Sequence, residues 1–87
     1  MSESPQTIWL TQEAHDRLAG EFEERQTTRR TEITKRIAAA REEGDLKENG
    51  GYHAAKDEQG KNEARIRQLR QMLDNAQIGS PPSEEGQ

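Results

Sequence analysis

The chain has 87 residues, of which 34% are charged, 28% are hydrophobic and 3% are aromatic. Leu, Ile and Phe together number 11 and Val is absent, so large apolar residues make up about 13% of the chain. Disorder becomes the default below roughly 20%. Ala, Glu, Lys, Leu and Arg make up about 46%, close to the roughly 50% typical of long helices. The composition therefore excludes an ordinary globular core and leaves either a disordered chain or long, thin helices.

Charge and cysteine content exclude several classes of function. The net charge is −4, so bulk attraction to nucleic acid is not expected, and any such contact would need a local basic patch. Without cysteine, the chain has neither a disulfide framework nor a cysteine-based zinc site. No apolar run is long enough to cross a membrane, and residues 1–5 lack the basic region of a signal peptide. We expect a cytoplasmic protein with no membrane contact.

The first half of the chain reads as a short segment followed by a helix. Residues 1–10 form an N-terminal segment whose apolar end, residues 8–10 (IWL), is predicted to pack across the base of the helical structure. Thr11 is a favourable N-cap for the first helix. The spacings between its apolar residues are three, four or a sum of threes and fours, which is the pattern of one helix face. Residues 25–30 contain no apolar residue, so the predicted seam is polar in its middle. The seam residues are Ala14, Leu18, Phe22, Ile33, Ile37 and Ala40.

The second half has a more regular pattern. Gly44 can adopt the left-handed conformation that ends a helix, which predicts a turn at this point. From Tyr52 onwards, steps of three and four residues alternate without interruption, which is the heptad pattern of a coiled coil. Gln59 and Asn62 form a polar layer within it, of the kind that fixes register. The eight seam positions are Tyr52, Ala55, Gln59, Asn62, Ile66, Leu69, Leu73 and Ala76.

Two amphipathic helices joined by a short turn bury their seams by folding back on each other. The sequence therefore predicts an all-α fold, a long antiparallel two-helix coiled-coil hairpin over residues 11–79, with an acidic tip at residues 42–49. Residues 78–79 are predicted to close the second helix, and residues 80–87 read as a flexible tail or truncated linker. Because a narrow seam buries little apolar area, we expect marginal stability, with partial melting near room temperature or weak self-association through exposed seam residues.

The predicted tip concentrates four acidic residues within seven positions. One interpretation is a capping box, in which Asp45 caps the second helix and Glu48 reaches back to the backbone amide of the cap. The other is a divalent cation site, because residues three apart on a helical turn lie on one side and both carboxylates could reach one ion. Two carboxylates alone hold Mg²⁺ poorly, since Mg²⁺ requires six oxygen ligands. A useful Mg²⁺ site would therefore need further ligands from a partner.

The tip also resembles a known family. Residues 38–49 (AAAREEGDLKEN) and 52–56 (YHAAK) are similar to the tip of the GreA/GreB transcript cleavage factors, and the similarity continues through residues 59–60, 63–66 and 73–76. It covers residues 8–79 in all. Residues 9–13 (WLTQE) are similar to actinobacterial members of the family.

The resemblance implies a fold and a mechanism. The N-terminal domain of the family is an antiparallel coiled coil that enters the secondary channel of bacterial RNA polymerase. The tip carboxylates, here Asp45 and Glu48, would help hold the second catalytic Mg²⁺, while aspartates of the polymerase hold the first. The polymerase would then hydrolyse the 3′ end of a backtracked RNA and resume elongation. The resemblance thus implies an activator of the polymerase's own nuclease rather than an enzyme.

Other residues near the tip also have two interpretations each. Arg41 and Lys56 lie where the family has basic residues that support cleavage, although ion pairs with neighbouring acids would also explain them. His53 is predicted not to be a metal ligand, because it lies five residues after Glu48. The basic segment at residues 29–36 is predicted to be a solvated helix face, with contact to RNA phosphates as the alternative.

The resemblance leaves open what this chain does in isolation. Family members carry a second, FKBP-like domain after the linker, whereas this sequence ends at Gln87, so we expect either an excised domain or a short paralogue. Binding to polymerase should then be weak, with cleavage stimulated only at high concentration. The alternatives are a regulator that inhibits polymerase by occupying its channel, and a plain structural or oligomerisation coiled coil.

Overall fold

Two helical arms lie side by side and antiparallel in the computed structural model, which describes residues 6–80. The first arm is one continuous helix with a π-helical segment in its middle, and the second arm is a single α-helix. A tight turn joins the arms at one end, and two short strands pair at the other. The predicted all-α hairpin is confirmed, with the strands as a minor addition. The elements in chain order are β1 (Ile8–Leu10), α1 (Gln12–Glu24), the π-helical segment (Arg25–Arg29), α2 (Arg30–Glu42), a 3₁₀ turn (Leu46–Glu48), α3 (Gly50–Asp74) and β2 (Ala76–Ile78).

The core of the hairpin is a single narrow seam. Its fully buried large side chains are Ile33, Ile66 and Leu69. Near the tip, Ile33 and Ile37 from α2 meet Ala55 from α3, with Tyr52 packed against them. The heptad pattern of the second arm therefore predicted which side of α3 faces the first arm.

Of the predicted polar layer, Asn62 is buried against the π-helical segment, whereas Gln59 is half-buried and bonds to Lys56 on its own helix. Asn62 is 2% exposed, and its side chain makes two hydrogen bonds to Arg25, the first residue of that segment. Its Oδ1 accepts from Nη1 of Arg25 at 3.0 Å, and its Nδ2 donates to the carbonyl oxygen of Arg25 at 3.1 Å. Because a buried amide is costly unless both ends are bonded, this pair favours one register of the two arms.

Ion pairs between the arms reinforce the same register. Glu21 accepts two bonds from the guanidinium of Arg65, at 2.9 and 3.0 Å. Arg30 donates two bonds to Glu63, both at 2.8 Å, and Arg36 pairs with Glu58. Each of these pairs joins the first arm to α3, and Arg30 and Arg36 of the basic segment remain exposed, as predicted for a solvated face, while pairing across the hairpin. Within the part of the chain that is described, Arg29 also has an acidic partner, Glu24 on its own arm.

The ion pair at Glu21 makes the stability of the hairpin depend on pH. Hydrogen bonds from Arg65 and then Arg25 lower the pKa of Glu21 from 4.5 to about 2. In the unfolded chain Glu21 takes up a proton near pH 4.5, whereas in the folded chain it stays ionised until the pH approaches 2. The stabilisation from its ion pairs is therefore complete above pH 4.5 and is lost as the pH falls towards 2. In urea unfolding at a series of pH values, we expect Glu21→Gln to flatten the loss of stability between pH 4.5 and 2. Glu23→Gln is the control, because Glu23 makes no ion pair within residues 6–80. An equal slope in both variants would contradict the prediction.

The base of the hairpin differs from the sequence prediction. The second helix ends at Asp74, and residues 76–78 form β2 instead of extending the helix to residue 79. This strand pairs in parallel with β1, with Ile8 opposite Ala76 and Leu10 opposite Ile78. The extended segment at residues 8–10 needs partners for its backbone groups, and pairing with the end of the second arm supplies them. The predicted tail at residues 80–87 lies, from residue 81 on, outside the described residues.

Candidate functional site

The acidic tip is the turn that reverses the chain between α2 and α3. Gly44, with φ at +81°, ends the first arm in the left-handed conformation that its sequence predicted. Its N–H donates to the carbonyl oxygen of Arg41 at 3.0 Å. Asp45 follows with φ at +38°, also left-handed, which in a residue other than glycine costs on the order of 1–3 kcal/mol. The chain thus takes two left-handed residues in succession and presents Asp45 at the extremity of the hairpin.

The capping-box interpretation of Asp45 and Glu48 is wrong. A residue that caps a helix N-terminus has an extended backbone, whereas Asp45 is left-handed and its side chain makes no capping hydrogen bond. The cap of α3 is Asn49, with φ at −87° and ψ at 101°, whose Oδ1 accepts from the N–H of Tyr52 at 2.9 Å. The carboxylates of Asp45 and Glu48 are therefore left free of that capping role.

Asn49 also bonds to the other arm. Its Nδ2 donates to the carbonyl oxygen of Ala40, in the last turn of α2, at 2.8 Å. One side chain thus adds a bond to a carbonyl oxygen in the last turn of one helix, which already accepts the N–H of Glu43, and satisfies a free donor at the N-terminal start of the next. The turn is closed at its neck by this residue.

Asp45 and Glu48 are both exposed and border the same open cavity of about 500 Å³ at the tip. Glu43 lines it as well, with backbone from Gly44 and from the start of α3. Within residues 6–80, no group of three or more His, Cys, Asp or Glu side chains is arranged to hold a metal ion. The donor set at the tip fits a shared ion, because carboxylate oxygens suit Mg²⁺ but its six positions require water, substrate or a partner as well.

The two basic residues predicted to support the site flank the turn. Arg41 lies in the last turn of α2, where a cation also interacts favourably with the negative end of the helix dipole. Lys56 lies just after the first turn of α3, and its Nζ donates to Oε1 of Gln59 at 3.1 Å. Neither makes an ion pair within residues 6–80, and the acid next to Lys56, Asp57, pairs with Lys61 four residues on. Both side chains are exposed, with Arg41 free to meet an anion.

His53 and Tyr52 have structural contacts at the tip. The ring of His53 lies with Nε2 2.8 Å from the carbonyl oxygen of Lys47, inside the turn. Tyr52 is half-buried and meets the His53 ring edge-on, with the ring centroids 5.6 Å apart. Packing was the predicted role of Tyr52, and its contact with the core cluster confirms it.

Sequence reasoning missed Asn49 and the contact of His53. The signal for Asn49 was present, because Asn is among the preferred N-cap residues and Asn49 directly precedes the first helical residue. Asp45, four residues earlier in the pattern Asp45-x-x-Glu48, was a second candidate for the N-cap of the same helix. The local sequence does not decide between two candidate caps so close together. No local signal pointed to the contact between His53 and Lys47, because it depends on how the turn folds.

Comparison with known protein sequences gives the family of the chain. Residues 8–78 match the family described as "Transcription elongation factor, N-terminal", the N-terminal domain of the GreA and GreB proteins. The chain belongs to the GreA/GreB family. The match includes both arms, the tip and both strands, so the resemblance noted from the tip motif is confirmed.

Individual members of the family are similar over nearly the whole chain. Transcription elongation factor GreA of Streptomyces avermitilis is 59% identical over 83 residues, which are 95% of this chain and 50% of that protein. The protein of the same name from Mycobacterium tuberculosis is 54% identical over 81 residues, 93% of this chain and 49% of that protein. The actinobacterial character is thus confirmed. The chain spans about half the length of the curated relatives it matches.

None of the helices within residues 6–80 combines the length and apolar character needed to span a membrane.

Proposed function

We propose that this chain is a transcript cleavage factor domain that acts on bacterial RNA polymerase. It inserts its tip through the secondary channel and stimulates hydrolysis of the 3′ end of backtracked RNA, in the cytoplasm where transcription occurs. The observation that carries the proposal is the exposed pair Asp45 and Glu48, held on one open surface at the far end of a thin rod. Membership of a family of transcription elongation factors supports it.

The shape of the hairpin suits delivery of these groups into a deep site. The first arm, residues 12–42, is about 46 Å long at the rise of an α-helix. Both carboxylates lie beyond the end of this arm, where the molecule is only a turn wide. A partner with a narrow channel could therefore admit the tip while the base remains outside.

The proposed cofactor is Mg²⁺, shared with the active site of the polymerase. In phosphoryl transfer by two metal ions, the ions flank the attacking and leaving oxygens. Asp45 and Glu48 would contribute two oxygen ligands to the second ion, with water, RNA phosphate and polymerase completing the six. The chain itself is not proposed to be an enzyme, because its two carboxylates gain a use only in an active site that another protein provides.

Arg41 and Lys56 are proposed to support the reaction from either side of the turn. Both are basic, exposed and free of ion pairs within residues 6–80, so each can approach a phosphate oxygen of the RNA when the tip is inserted. Their flexible side chains act as positive charges near the developing negative charge of the transition state.

The test is to add the wild-type chain to backtracked elongation complexes containing end-labelled RNA. We expect RNA shortened at its 3′ end, together with renewed elongation once nucleotides are supplied. Slower elongation without RNA cleavage would favour the channel-occupying inhibitor instead. No effect on polymerase, combined with a stable homodimer in analytical ultracentrifugation, would favour a structural coiled coil.

A further inference from the structure

The turn that carries Asp45 and Glu48 is weakly held by its own backbone. Its two internal hydrogen bonds are long, at 3.3 Å from the N–H of Glu48 to Asp45 and 3.4 Å from the N–H of Asn49 to Leu46. Backbone bonds of this type are usually about 2.7–3.2 Å. Asp45 is also in a left-handed conformation, which persists only where surrounding contacts impose it. Something outside the turn must therefore hold these two residues in place.

Asn49 holds the neck of the turn, and the contact that reaches its middle comes from His53. Its Nε2 lies 2.8 Å from the carbonyl oxygen of Lys47, which directly precedes Glu48 in the turn. Because a backbone carbonyl only accepts hydrogen bonds, Nε2 must carry the proton and donate it. This bond is shorter than either backbone bond of the turn.

His53 is itself fixed to the rigid part of the hairpin. Its backbone N–H donates to the carbonyl oxygen of Asn49 at 3.1 Å, within the first turn of α3. Its ring meets the ring of Tyr52 at 68°, and Tyr52 packs on the buried cluster of Ile33, Ile37 and Ala55. A continuous series of contacts thus runs from the core, through Tyr52 and His53, to the turn.

The position of the Lys47 carbonyl bears directly on Glu48. The two residues share one peptide group, which is planar, so fixing its oxygen also fixes the direction of the Glu48 N–H. The freedom left to the Glu48 backbone is then mainly its own φ and ψ. Mg²⁺ requires nearly octahedral geometry and tolerates small errors in ligand position poorly.

We propose that His53 is a positioning residue, which holds the turn through the Lys47 carbonyl so that Asp45 and Glu48 face one divalent cation together. This inference rests on the proposed function and assigns to His53 a role that is neither ligand nor core packing. Loss of His53 should therefore raise the Mg²⁺ concentration required for stimulated cleavage and leave the affinity of the chain for polymerase unchanged.

The experiment measures stimulated RNA cleavage in backtracked complexes as Mg²⁺ is titrated, at a saturating concentration of each variant of the 87-residue chain. We expect His53→Ala to raise the Mg²⁺ concentration for half-maximal cleavage about tenfold, the usual scale for loss of a group that supports a metal ligand. His53→Gln places an amide Nε2–H near the same point and should restore most of the loss. Competition with labelled wild-type chain should show unchanged affinity for polymerase.

His15→Ala is the matched control, because this second histidine lies in α1 far from the turn and, within residues 6–80, its ring bonds to the adjacent Asp16. It should behave like the wild type. An unchanged Mg²⁺ requirement in His53→Ala, with the wild type active, would overturn the positioning role and leave the proposed function intact. A His53→Gln variant that folds, by circular dichroism, yet needs as much Mg²⁺ as His53→Ala would also overturn it. If the wild-type chain does not stimulate cleavage, the proposed function fails and the role of His53 fails with it.

Discussion

Asp45→Asn and Glu48→Gln are each expected to reduce stimulated RNA cleavage at least about 100-fold, because loss of a metal ligand should exceed the 10–100-fold cost of losing a group that only supports one. Both substitutions keep the size of the side chain and remove its charge. Asn is the right replacement at position 45, since it tolerates the left-handed backbone observed there, whereas Ala would add strain. Initial cleavage rates on a backtracked complex of defined RNA length would measure the loss.

The control for these variants is Glu42→Gln. Glu42 is an exposed carboxylate at the end of α2 that does not border the tip cavity. Removing its charge alters the overall acidity of the tip by the same amount, so a cleavage rate near that of the wild type would show that placement matters more than charge. If all three variants lost activity equally, bulk negative charge would explain the effect and a shared metal site would not.

Raising Mg²⁺ should distinguish loss of a ligand from loss of binding to polymerase. A variant with one remaining carboxylate still carries one ligand, so excess Mg²⁺ should recover part of its activity. A variant that fails to enter the channel should not respond. Partial recovery in Glu48→Gln, together with unchanged competition for polymerase, is the outcome that a shared ion requires.

The features that sequence predicted well are those that depend on periodicity or on one residue's backbone preference. The heptad steps from Tyr52 identified the buried side of α3, and the gap in apolar residues between positions 25 and 30 identified where the seam is polar. Gly44 is left-handed as expected. Each of these depends on neighbours within a few positions along one helix, which is the range over which such patterns carry information.

The features that sequence did not predict depend on contacts between distant segments. Arg30 and Glu63 are 33 residues apart, and nothing local to either selects the other. The parallel pairing of β1 with β2 brings together two segments from opposite ends of the described chain. The heptad pattern predicted helix as far as Ala76, but this pairing makes Ala76 the first residue of a strand. At the tip, Asn49 was overlooked because an acidic pattern with a known capping use preceded it.

These omissions bear on function, because the unpredicted contacts hold the turn that the predicted residues occupy. Asp45 and Glu48 were recognisable from the motif, but the motif does not show why a strained, exposed turn keeps one shape. Asn49 closes the neck of the turn through α2 and α3, and His53 holds its middle. The proposed chemistry depends on two carboxylates, and we infer that their placement depends on Asn49 and His53, which no motif in the sequence singles out.

Leu69→Ala is expected to have the largest effect on stability. Leu69 is fully buried in the seam of α3, with 0% exposure. Leu-to-Ala changes at such positions cost about 2–5 kcal/mol, from lost apolar burial and from the cavity left behind. A two-helix hairpin has few other buried side chains and no second layer to close the gap, so we expect a loss of about 3 kcal/mol in the free energy of unfolding. Urea unfolding followed by circular dichroism at 222 nm would measure it.

The matched control is Leu46→Ala, the same chemical change at a leucine that is 37% exposed on the 3₁₀ turn of the tip. It should cost less than about 1 kcal/mol, because much of the side chain already meets water. Since small domains of this kind have little stability to lose, Leu69→Ala should be partly unfolded without urea while Leu46→Ala stays folded. Equal losses in the two variants would mean that the seam is not the main source of stability. We also expect Leu69→Ala to regain stimulated RNA cleavage when it is cooled to a temperature at which its helices refold, because the substitution leaves every residue of the tip unchanged.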